Sequence, residues 1–261
     1  MILQEIAERT KQRIAEQAAR VPLSEVRRAA EQAGGDTGFP FKRALSGDGI
    51  SFICEVKKAS PSKGVIAEDF PYLQIAQDYE AAGAAAISCL TEPYWFKGSD
   101  RYLSEIAARV NIPVLRKDFT VSEYMIYEAK ALGASAVLLI CAILSAAQVK
   151  EYLELAHSLG LSALVEAHDE NEIRTAIDSG AEIIGVNNRD LRSFTVDINN
   201  SSRLRELVPP EKLFVSESGI KTAQDIESLR KGGVNAVLIG ETLMRSPDKR
   251  AALDALRGCA E

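Results

Sequence analysis

Ionisable and amide side chains follow the ends of five short apolar runs in this sequence. They are Glu55, Lys57, Lys117, Glu166, Asn187, Arg189 and Glu217. Any one of them, taken alone, can be a partner in a structural salt bridge, because ion-pair networks are common in folded proteins. Five segments that all end in such groups are instead typical of a binding site, since a cluster of charges is costly to bury unless its members pair or act on a ligand. We therefore expect these groups to meet around a small molecule.

Glycines and hydroxyl side chains form a second group of candidates, of the kind that binds phosphate. Ser218 and Gly219 follow the seventh apolar run, and Gly240 and Glu241 follow the eighth. A glycine lets the backbone approach an anion closely, and the amides at the start of the short segment from Glu241 can point at that anion. Ser60 lies in a loop after the first run, which can close over the same anion. The alternative for both glycines is a role in tight turns.

Other signals for chemistry are weak. No Ser/His/Asp set is evident, and the two histidines, His157 and His168, have no matching ligand cluster, so no metal site is expected. The four cysteines are irregularly spaced and three lie in apolar runs, which indicates buried thiols rather than disulfides. Trp95 and Phe96 follow the second run, where they can meet an aromatic ligand, but packing is the commoner role of large aromatic side chains.

Eight short apolar runs rich in β-branched residues supply the elements that must position these side chains. They occupy residues 51–56, 85–90, 112–115, 136–141, 161–165, 183–186, 213–215 and 236–239. The runs are uninterrupted rather than alternating, as in parallel strands that are covered on both faces. Amphipathic segments such as residues 72–82 and 146–159 separate them, and most of these segments end in glycine, which terminates a helix. The sequence therefore predicts a series of βα units.

Eight βα units in 261 residues predict an α/β fold of the (β/α)8 TIM-barrel type. A doubly wound sheet is the alternative, but no Gly-x-Gly-x-x-Gly motif follows the first run. Residues 1–50 are predicted to form an N-terminal helical extension of two helices, one from Leu3 to Ala18 and one after Pro22, which caps or borders the barrel. We expect a single domain over residues 1–261, with the barrel in residues 51–261 and its site at the carboxyl ends of the strands.

Composition excludes several classes of protein. The chain has 31 Lys and Arg against 37 Asp and Glu, a net charge of −6 that argues against a nucleic-acid-binding protein. Charges come too early at the N-terminus for a signal sequence, and no apolar stretch reaches the length of a membrane span. We expect a cytoplasmic protein that binds a small molecule and neither nucleic acid nor membranes. A monomer is expected, and a larger assembly stays open.

Four motifs carry most of the functional information, and their order and spacing extend over the chain. They are residues 55–64 (EVKKASPSKG), 115–119 (LRKDF), 185–191 (GVNNRDL) and 216–220 (SESGI). This set resembles the signatures of the indole-3-glycerol phosphate synthase family, and the resemblance includes the N-terminal extension. It implies a (β/α)8 barrel that converts 1-(2-carboxyphenylamino)-1-deoxyribulose 5-phosphate into indole-3-glycerol phosphate, with release of carbon dioxide and water, in tryptophan biosynthesis. It implies no cofactor and no metal.

The resemblance also implies a role for each ionisable residue. Lys117 matches the family's general acid, which protonates the ribulose carbonyl oxygen as the aromatic ring carbon attacks. Lys57 and Glu55 match residues assigned to substrate binding and to the later dehydration. Glu166 and Glu217 match carboxylates that stabilise or deprotonate the cationic intermediate. Since a lysine is an effective acid near neutrality only when its pKa is lowered, we expect Lys57 and Lys117 to lower each other's pKa.

The remaining matches concern binding. Asn187 and Arg189 match polar residues near the substrate's carboxylate and hydroxyl groups. Ser60, Ser218, Gly219 and Gly240 match phosphate and loop positions, and Phe119, Leu191 and Glu241 complete the predicted binding residues.

Two alternatives stay open. One is a phosphoribosylanthranilate isomerase or another phosphosugar barrel, but such an isomerase relies on a cysteine and an aspartate, and Cys54 does not lie in its expected motif. The other is a non-catalytic barrel that binds a phosphometabolite. That barrel would need the phosphate loops but not Lys57, Lys117 and Glu166 together.

Overall fold

Eight parallel strands close into a barrel in the computed structural model, which describes residues 2–35, 37–190 and 194–258. In chain order, and including a separate two-stranded antiparallel hairpin of β2 and β3, the strands are β1 (Ser51–Val56), β2 (Ala59–Ser60), β3 (Gly64–Val65), β4 (Ala86–Leu90), β5 (Val114–Lys117), β6 (Ala136–Ile140), β7 (Ser162–Ala167), β8 (Ile183–Asn187), β9 (Leu213–Glu217) and β10 (Ala236–Ile239). The barrel closes where β1 pairs with both β4 and β10. All eight predicted barrel strands are confirmed.

Helices cover the barrel between consecutive strands. They are α1 (Ile2–Arg20), α2 (Leu23–Gln32), α3 (Pro40–Leu45), α4 (Tyr72–Ala81), α5 (Asp100–Ala107), α6 (Glu123–Ala131), α7 (Ala146–Ser158), α8 (Glu170–Asp178), α9 (Asn199–Arg205), α10 (Ala223–Lys231), α11 (Glu241–Arg245) and α12 (Lys249–Arg257), with a 3-10 turn at Cys141–Ile143. No helix among those described is both long and apolar enough to cross a membrane.

Local sequence signals explain where a typical βα unit changes direction. Ser145 begins α7 with a capping box, in which its side chain accepts a hydrogen bond from the backbone of Gln148 and the Gln148 side chain reaches back. After α7 the chain turns at Gly160, whose φ of +70° lies in the left-handed region that glycine adopts without strain. The chain then enters β7, which is buried along its whole length.

The interior of the barrel is apolar near the strand starts and ionisable near their carboxyl ends. Ile53, Leu115, Leu164 and Val215 belong to one apolar cluster inside the barrel. Because side chains two residues apart share a face of a strand, the ionisable residues at positions 55, 117, 166 and 217 point into the same interior. The fold therefore collects the charged side chains at one rim.

Both ends of β5 differ from the sequence prediction by two residues. The apolar run at 112–115 predicts a strand that stops before Lys117, whereas β5 begins at Val114 and includes Arg116 and Lys117. Pro113 has no N–H for the ladder, and the register with β4 continues to Lys117, which pairs with Leu90. The apolar run ends before the strand pairing ends. The ionisable residues Arg116 and Lys117 therefore belong to the strand itself.

The N-terminal extension borders the barrel from rim to base. The two predicted helices are confirmed as α1 and α2, and α2 packs against α6. A third helix, α3, was not predicted, because its six residues are too few to show helical periodicity. It begins with Pro40, whose fixed φ suits the first turn, and it buries Phe41 and Leu45 completely against the interior cluster.

Candidate active site

One cavity of about 750 Å³ opens at the carboxyl ends of the barrel strands. It brings together thirteen of the predicted site residues: Glu55, Lys57, Ser60, Lys117, Phe119, Glu166, Asn187, Arg189, Glu217, Ser218, Gly219, Gly240 and Glu241. The fourteenth, Leu191, lies outside the described residues. The predicted candidates therefore share one pocket, although they come from separate parts of the chain.

Lys117 faces carboxylates from neighbouring parts of the barrel wall. Its Nζ lies 3.5 Å from Oε2 of Glu166 and 3.6 Å from Oε2 of Glu217, and its side chain is 14% exposed. Burial by itself lowers the pKa of this lysine, but Glu166, Glu217 and Glu55 together outweigh burial and raise the pKa well above its ordinary value. Lys117 is therefore a protonated ammonium group in this pocket.

The two carboxylates beside Lys117 differ in protonation. Burial raises the pKa of Glu217 to about 8, with further raising by Glu166 and Glu55 and opposition from Lys117. For Glu166, burial also acts upward, but Lys117, His168 and a hydrogen bond from Asn187 lower its pKa below the ordinary value. Near neutral pH, Glu166 is therefore ionised and Glu217 carries a proton.

Lys57 is held by its neighbour on the same face of β1, and this corrects one expectation. Its Nζ lies 2.5 Å from Oε1 of Glu55. The predicted mutual lowering of lysine pKa values is wrong for Lys117, because that ammonium faces three carboxylates that raise its pKa. Opposite charges at short range decide the protonation of Lys117.

Two glycines leave the space that these side chains occupy. A Cβ at Gly185 would lie 2.4 Å from Oε1 of Glu217, and a Cβ at Gly240 would lie 2.3 Å from Oε1 of Glu55 and 2.8 Å from Nζ of Lys57. The φ of Gly240 is −113°, so this residue is not needed for a left-handed turn. Its absent side chain makes room for the pair on β1.

The other predicted phosphate residues form one side of the pocket. Gly219 has a φ of +87° and Ser218 a φ of +70°, so the chain makes a left-handed bend directly after β9. Glu241 begins α11, and its Oε1 lies 3.7 Å from Nζ of Lys63 and 3.0 Å from Nε of Arg245. Sequence reasoning did not assign Lys63 or Arg245, although Lys63 lies in the loop that carries Ser60.

An apolar wall faces the charged residues. Phe96 and Phe119 lie with ring centroids 6.0 Å apart, and both line the cavity. The expectation of a packing role holds for Trp95, which packs against the interior cluster. Leu3 and Ile6 of α1 complete the wall. The sequence did not predict this role, because apolar residues at helical spacing usually pack against the core.

Asn187 and Arg189 are positioned by the loop after β8. The Asn187 side-chain oxygen accepts a hydrogen bond from the backbone N–H of Arg189 at 3.1 Å, and Arg189 Nη1 donates to the carbonyl of Phe194 at 3.4 Å. A backbone bridge joins Arg189 to Val196. These contacts keep both side chains at the rim of the pocket.

His168 was considered only as a metal ligand in the sequence, and the structure gives it a different environment. Its Nε2 lies 3.4 Å from Oε1 of Glu166, and its Nδ1 lies 3.0 Å from Oε2 of Glu172. Its position two residues after Glu166 was the signal in the sequence that could have predicted this contact. Among residues 2–35, 37–190 and 194–258, no group of His, Cys, Asp or Glu is arranged to hold a metal ion.

Comparisons with known proteins give a consistent result. The sequence model described as "Indole-3-glycerol phosphate synthase" matches residues 3–256. A protein of that name from Ruminiclostridium cellulolyticum is 58% identical over 260 residues, which is 100% of both chains. Another, from Endomicrobium trichonymphae, is 58% identical over 246 residues, or 94% of this chain and 95% of the other.

A solved structure supports the fold alone. Thiamine phosphate pyrophosphorylase from Pyrococcus furiosus superimposes with a TM-score of 0.59 at 17% sequence identity. The match covers 80% of this chain and 94% of that one. Such identity is too low to carry activity from one protein to the other.

Proposed function

This chain belongs to the indole-3-glycerol phosphate synthase family, and from that premise we propose how its pocket divides the work of the reaction. It is a lyase of tryptophan biosynthesis, which converts 1-(2-carboxyphenylamino)-1-deoxyribulose 5-phosphate into indole-3-glycerol phosphate with loss of carbon dioxide and water. A small phosphorylated substrate fits that activity.

Lys117 is the acid of the ring-closing step. As the aromatic carbon attacks the ribulose carbonyl carbon, negative charge develops on the carbonyl oxygen, and the ammonium group donates its proton there. Its high pKa is compatible with this role, because an alkoxide is a stronger base than an amine and the transfer runs downhill. The carboxylates around Lys117 keep the acid protonated until the substrate needs the proton.

Glu166 is the carboxylate that acts on the cationic intermediate. Ring closure leaves positive charge on the nitrogen and ring system, and an ionised carboxylate stabilises that charge or removes the proton. Glu217 does not share this task at the start, since its pKa of about 8 keeps it protonated near neutral pH. When carbon dioxide leaves, the electron pair of the broken C–C bond stays with the ring system and neutralises its positive charge. This restores the aromaticity of the ring.

The pair of Lys57 and Glu55 carries out the later dehydration. A lysine next to a carboxylate can donate a proton to a departing hydroxyl group while the carboxylate accepts one from the neighbouring position. The distance of 2.5 Å between Nζ of Lys57 and Oε1 of Glu55 supports this pairing. Asn187 and Arg189 bind the substrate's carboxylate and hydroxyl groups from the β8 side of the same rim.

The phosphate group binds between the loops after β9 and β10. Ser218 and Gly219 contribute a bend of left-handed backbone, and Gly240 lets the chain approach closely. Ser60 and Lys63 enclose the anion from the hairpin side. Phe119 and the other apolar wall residues then face the carboxyphenyl ring.

The single observation that carries this assignment is the buried ammonium of Lys117 among carboxylates at the barrel rim. In an indole-fluorescence assay, we expect Lys117→Ala to abolish turnover while substrate binding stays within about tenfold, or roughly 1.4 kcal/mol. Lys150→Ala is the matched control, because Lys150 is exposed on α7 and away from the pocket. Unchanged kcat in Lys117→Ala would remove the proposed role.

The phosphate assignment has its own test. Inorganic phosphate should compete with the substrate and raise its apparent KM without changing kcat. The same titration with sulfate tests whether charge and shape suffice. If high phosphate leaves the apparent KM unchanged, the loops after β9 and β10 do not hold the phosphate.

Neither alternative function gains support from the site. The isomerase alternative needs a reactive cysteine, whereas Cys54 belongs to the apolar cluster outside the barrel and burial raises its pKa to about 12. A non-catalytic binding barrel has no need for the costly charge cluster around Lys117. We further propose one domain over residues 1–261, a cytoplasmic location and a monomeric state.

A further inference from the structure

His168 lies next to Glu166 and outside the lining of the substrate pocket. It does not line the cavity, but its Nε2 is 3.4 Å from Oε1 of Glu166. The other oxygen of the same carboxylate, Oε2, faces Lys117 at 3.5 Å. Glu166 is thus placed between an ammonium group in the pocket and an imidazole outside it.

Glu172 holds the imidazole in this orientation. Its Oε2 lies 3.0 Å from Nδ1 of His168 and also accepts the backbone N–H of His168 at 2.8 Å. The backbone carbonyl of His168 accepts a hydrogen bond from the side chain of Asn200 at 3.3 Å. Glu172 therefore holds the imidazole at Nδ1, and two hydrogen bonds hold the backbone of His168. These contacts direct Nε2 at Glu166.

The Nε2 atom has no other use among the described residues. It is buried, and it makes no hydrogen bond of ordinary geometry to any of them. A merely structural histidine would have its second nitrogen bonded or exposed to water. A buried nitrogen aimed at an ionised carboxylate is the arrangement that fixes both the position and the charge of that carboxylate.

We propose that His168, as an imidazolium held by Glu172, is a positioning residue that keeps Glu166 ionised and fixes its orientation for the cationic intermediate. This inference rests on the proposed role of Glu166. Charge reaches His168 from three elements, and the groups concerned are Glu166 of β7, Glu172 of α8 and Glu217 of β9. Burial lowers the pKa of His168, but the three glutamates outweigh burial and raise it. The raised pKa favours the imidazolium.

The chain offers a direct test because it has only two histidines. In an NMR titration of the imidazole signals, His157→Gln assigns each resonance. We expect His168 to titrate above the ordinary midpoint and His157 below it, since burial lowers the pKa of His157. Glu166→Gln should lower the midpoint of His168 by about one unit and leave His157 unchanged. An unmoved His168 midpoint in Glu166→Gln would overturn the proposal.

Kinetics supply the second arm. Both His168→Gln and His168→Asn remove the charge, and the glutamine retains an N–H toward Glu166. We expect the acidic limb of kcat against pH to move upward by about one unit in both variants, with KM within about twofold. His157→Gln is the matched control and should keep the wild-type profile. A wild-type acidic limb in both His168 variants contradicts the inference.

The two arms separate this inference from the proposed function. If kcat of Glu166→Gln equals that of the wild type, the proposed role of Glu166 is wrong, and the inference about His168 is wrong with it. Should Glu166→Gln be inactive while the His168 variants keep the wild-type acidic limb, only the inference about His168 is overturned.

Discussion

Consecutive residues of β5 point to opposite sides of the barrel wall and enter two clusters of charge. Lys117 faces inward, whereas Arg116 contacts Asp100 of α5 and Glu128 of α6. Asp118, directly after β5, contacts Arg13 of α1. Among the described residues, each cluster combines two cationic side chains with three carboxylates. The outer cluster is Arg13, Arg116, Asp100, Asp118 and Glu128, and the inner cluster is Lys57, Lys117, Glu55, Glu166 and Glu217.

The clusters differ in the geometry around their central cation. Around Arg116, the guanidinium lies 2.8 Å from Asp100 and 2.7 Å from Glu128, and it donates a further hydrogen bond to a backbone carbonyl at 3.1 Å. Around Lys117, the contacts to Glu166 and Glu217 are 3.5 and 3.6 Å. An arginine fork fixes several partners at once, while a lysine is a point charge that can move between them. Tight pairing fixes Arg116 in place, whereas loose pairing leaves Lys117 free to act on a substrate.

The largest expected effect comes from the inner face. Lys117→Met should lower kcat at least about 10³-fold, because a positioned general acid contributes roughly that much. Its thermal midpoint should change little, since Glu217 is already protonated and Glu166 keeps His168 and Asn187 as partners. Steady-state kinetics and thermal unfolding measure the two quantities. A variant that loses folding and turnover together would show that the inner cluster is structural.

The outer face should behave in the opposite way. Arg116→Met should cost about 3–5 kcal/mol in the free energy of unfolding, because it leaves buried carboxylates without their cation. Arg116→Lys should recover less than half of this loss, since lysine lacks the planar fork. Urea unfolding measures both. In the fraction that stays folded, kcat should lie within a few-fold of wild type, and a 10³-fold loss there would contradict a structural role.

The pH dependence of stability should have opposite signs on the two faces. Glu217 holds its proton more tightly when folded, because burial raises its pKa from 4.5 to about 8, so the folded state loses stability as pH rises between these values. Glu217→Gln removes that decline and should gain about 3 kcal/mol at pH 8 relative to pH 5.

Asp118 supplies the matched comparison for this prediction. Burial favours its protonated form, but Arg13 and Arg116 outweigh burial and lower its pKa below 3.8. Its contribution to stability is therefore present above pH 3.8 and lost as pH falls through the folded pKa. Asp118→Asn should destabilise the protein at neutral pH and converge with wild type in acid. Urea unfolding at a series of pH values measures both variants, and equal signs would remove the distinction between the faces.

Much of this architecture was predictable from sequence, because apolar runs and helix stops are local signals. The eight barrel strands and the gathering of Glu55, Lys117, Glu166 and Glu217 at one rim followed from strand alternation and the topology of a barrel. Helix α3 was not predictable, since six residues carry no period. Its burial depends on Phe41 and Leu45 meeting the barrel base, which is a tertiary contact.

Protonation and partner choice were the least predictable features. The residues Arg116, Lys117 and Asp118 are adjacent in sequence, and only the structure separates Lys117 from the outward-facing pair. The pKa of Lys117 was expected to fall beside Lys57, and it rises because three carboxylates converge there from other strands. His168 and Arg13 find their partners through folding, so sequence spacing alone does not reveal them.

The smallest expected effect concerns the link between the two faces. Arg13 of α1 donates to Oδ2 of Asp118 at 2.8 Å, and the same helix carries Leu3 and Ile6 to the apolar wall of the pocket. Arg13→Gln should loosen this attachment and raise KM about threefold, which corresponds to roughly 0.7 kcal/mol. The value of kcat should stay within about twofold, because the partners of Lys117 inside the barrel are unchanged.

Lys11→Met is the control on the same helix, since within the described part of the chain Lys11 pairs only with exposed Glu8 at the surface. Steady-state kinetics of both variants decide how far the two faces are independent. A rise in KM confined to Arg13→Gln means that the outer cluster reaches the substrate only through the position of α1. A fall in kcat comparable to that of Lys117→Met would instead mean that Asp118 transmits its state along β5 to the neighbouring lysine, and the division between a structural and a catalytic face would fail.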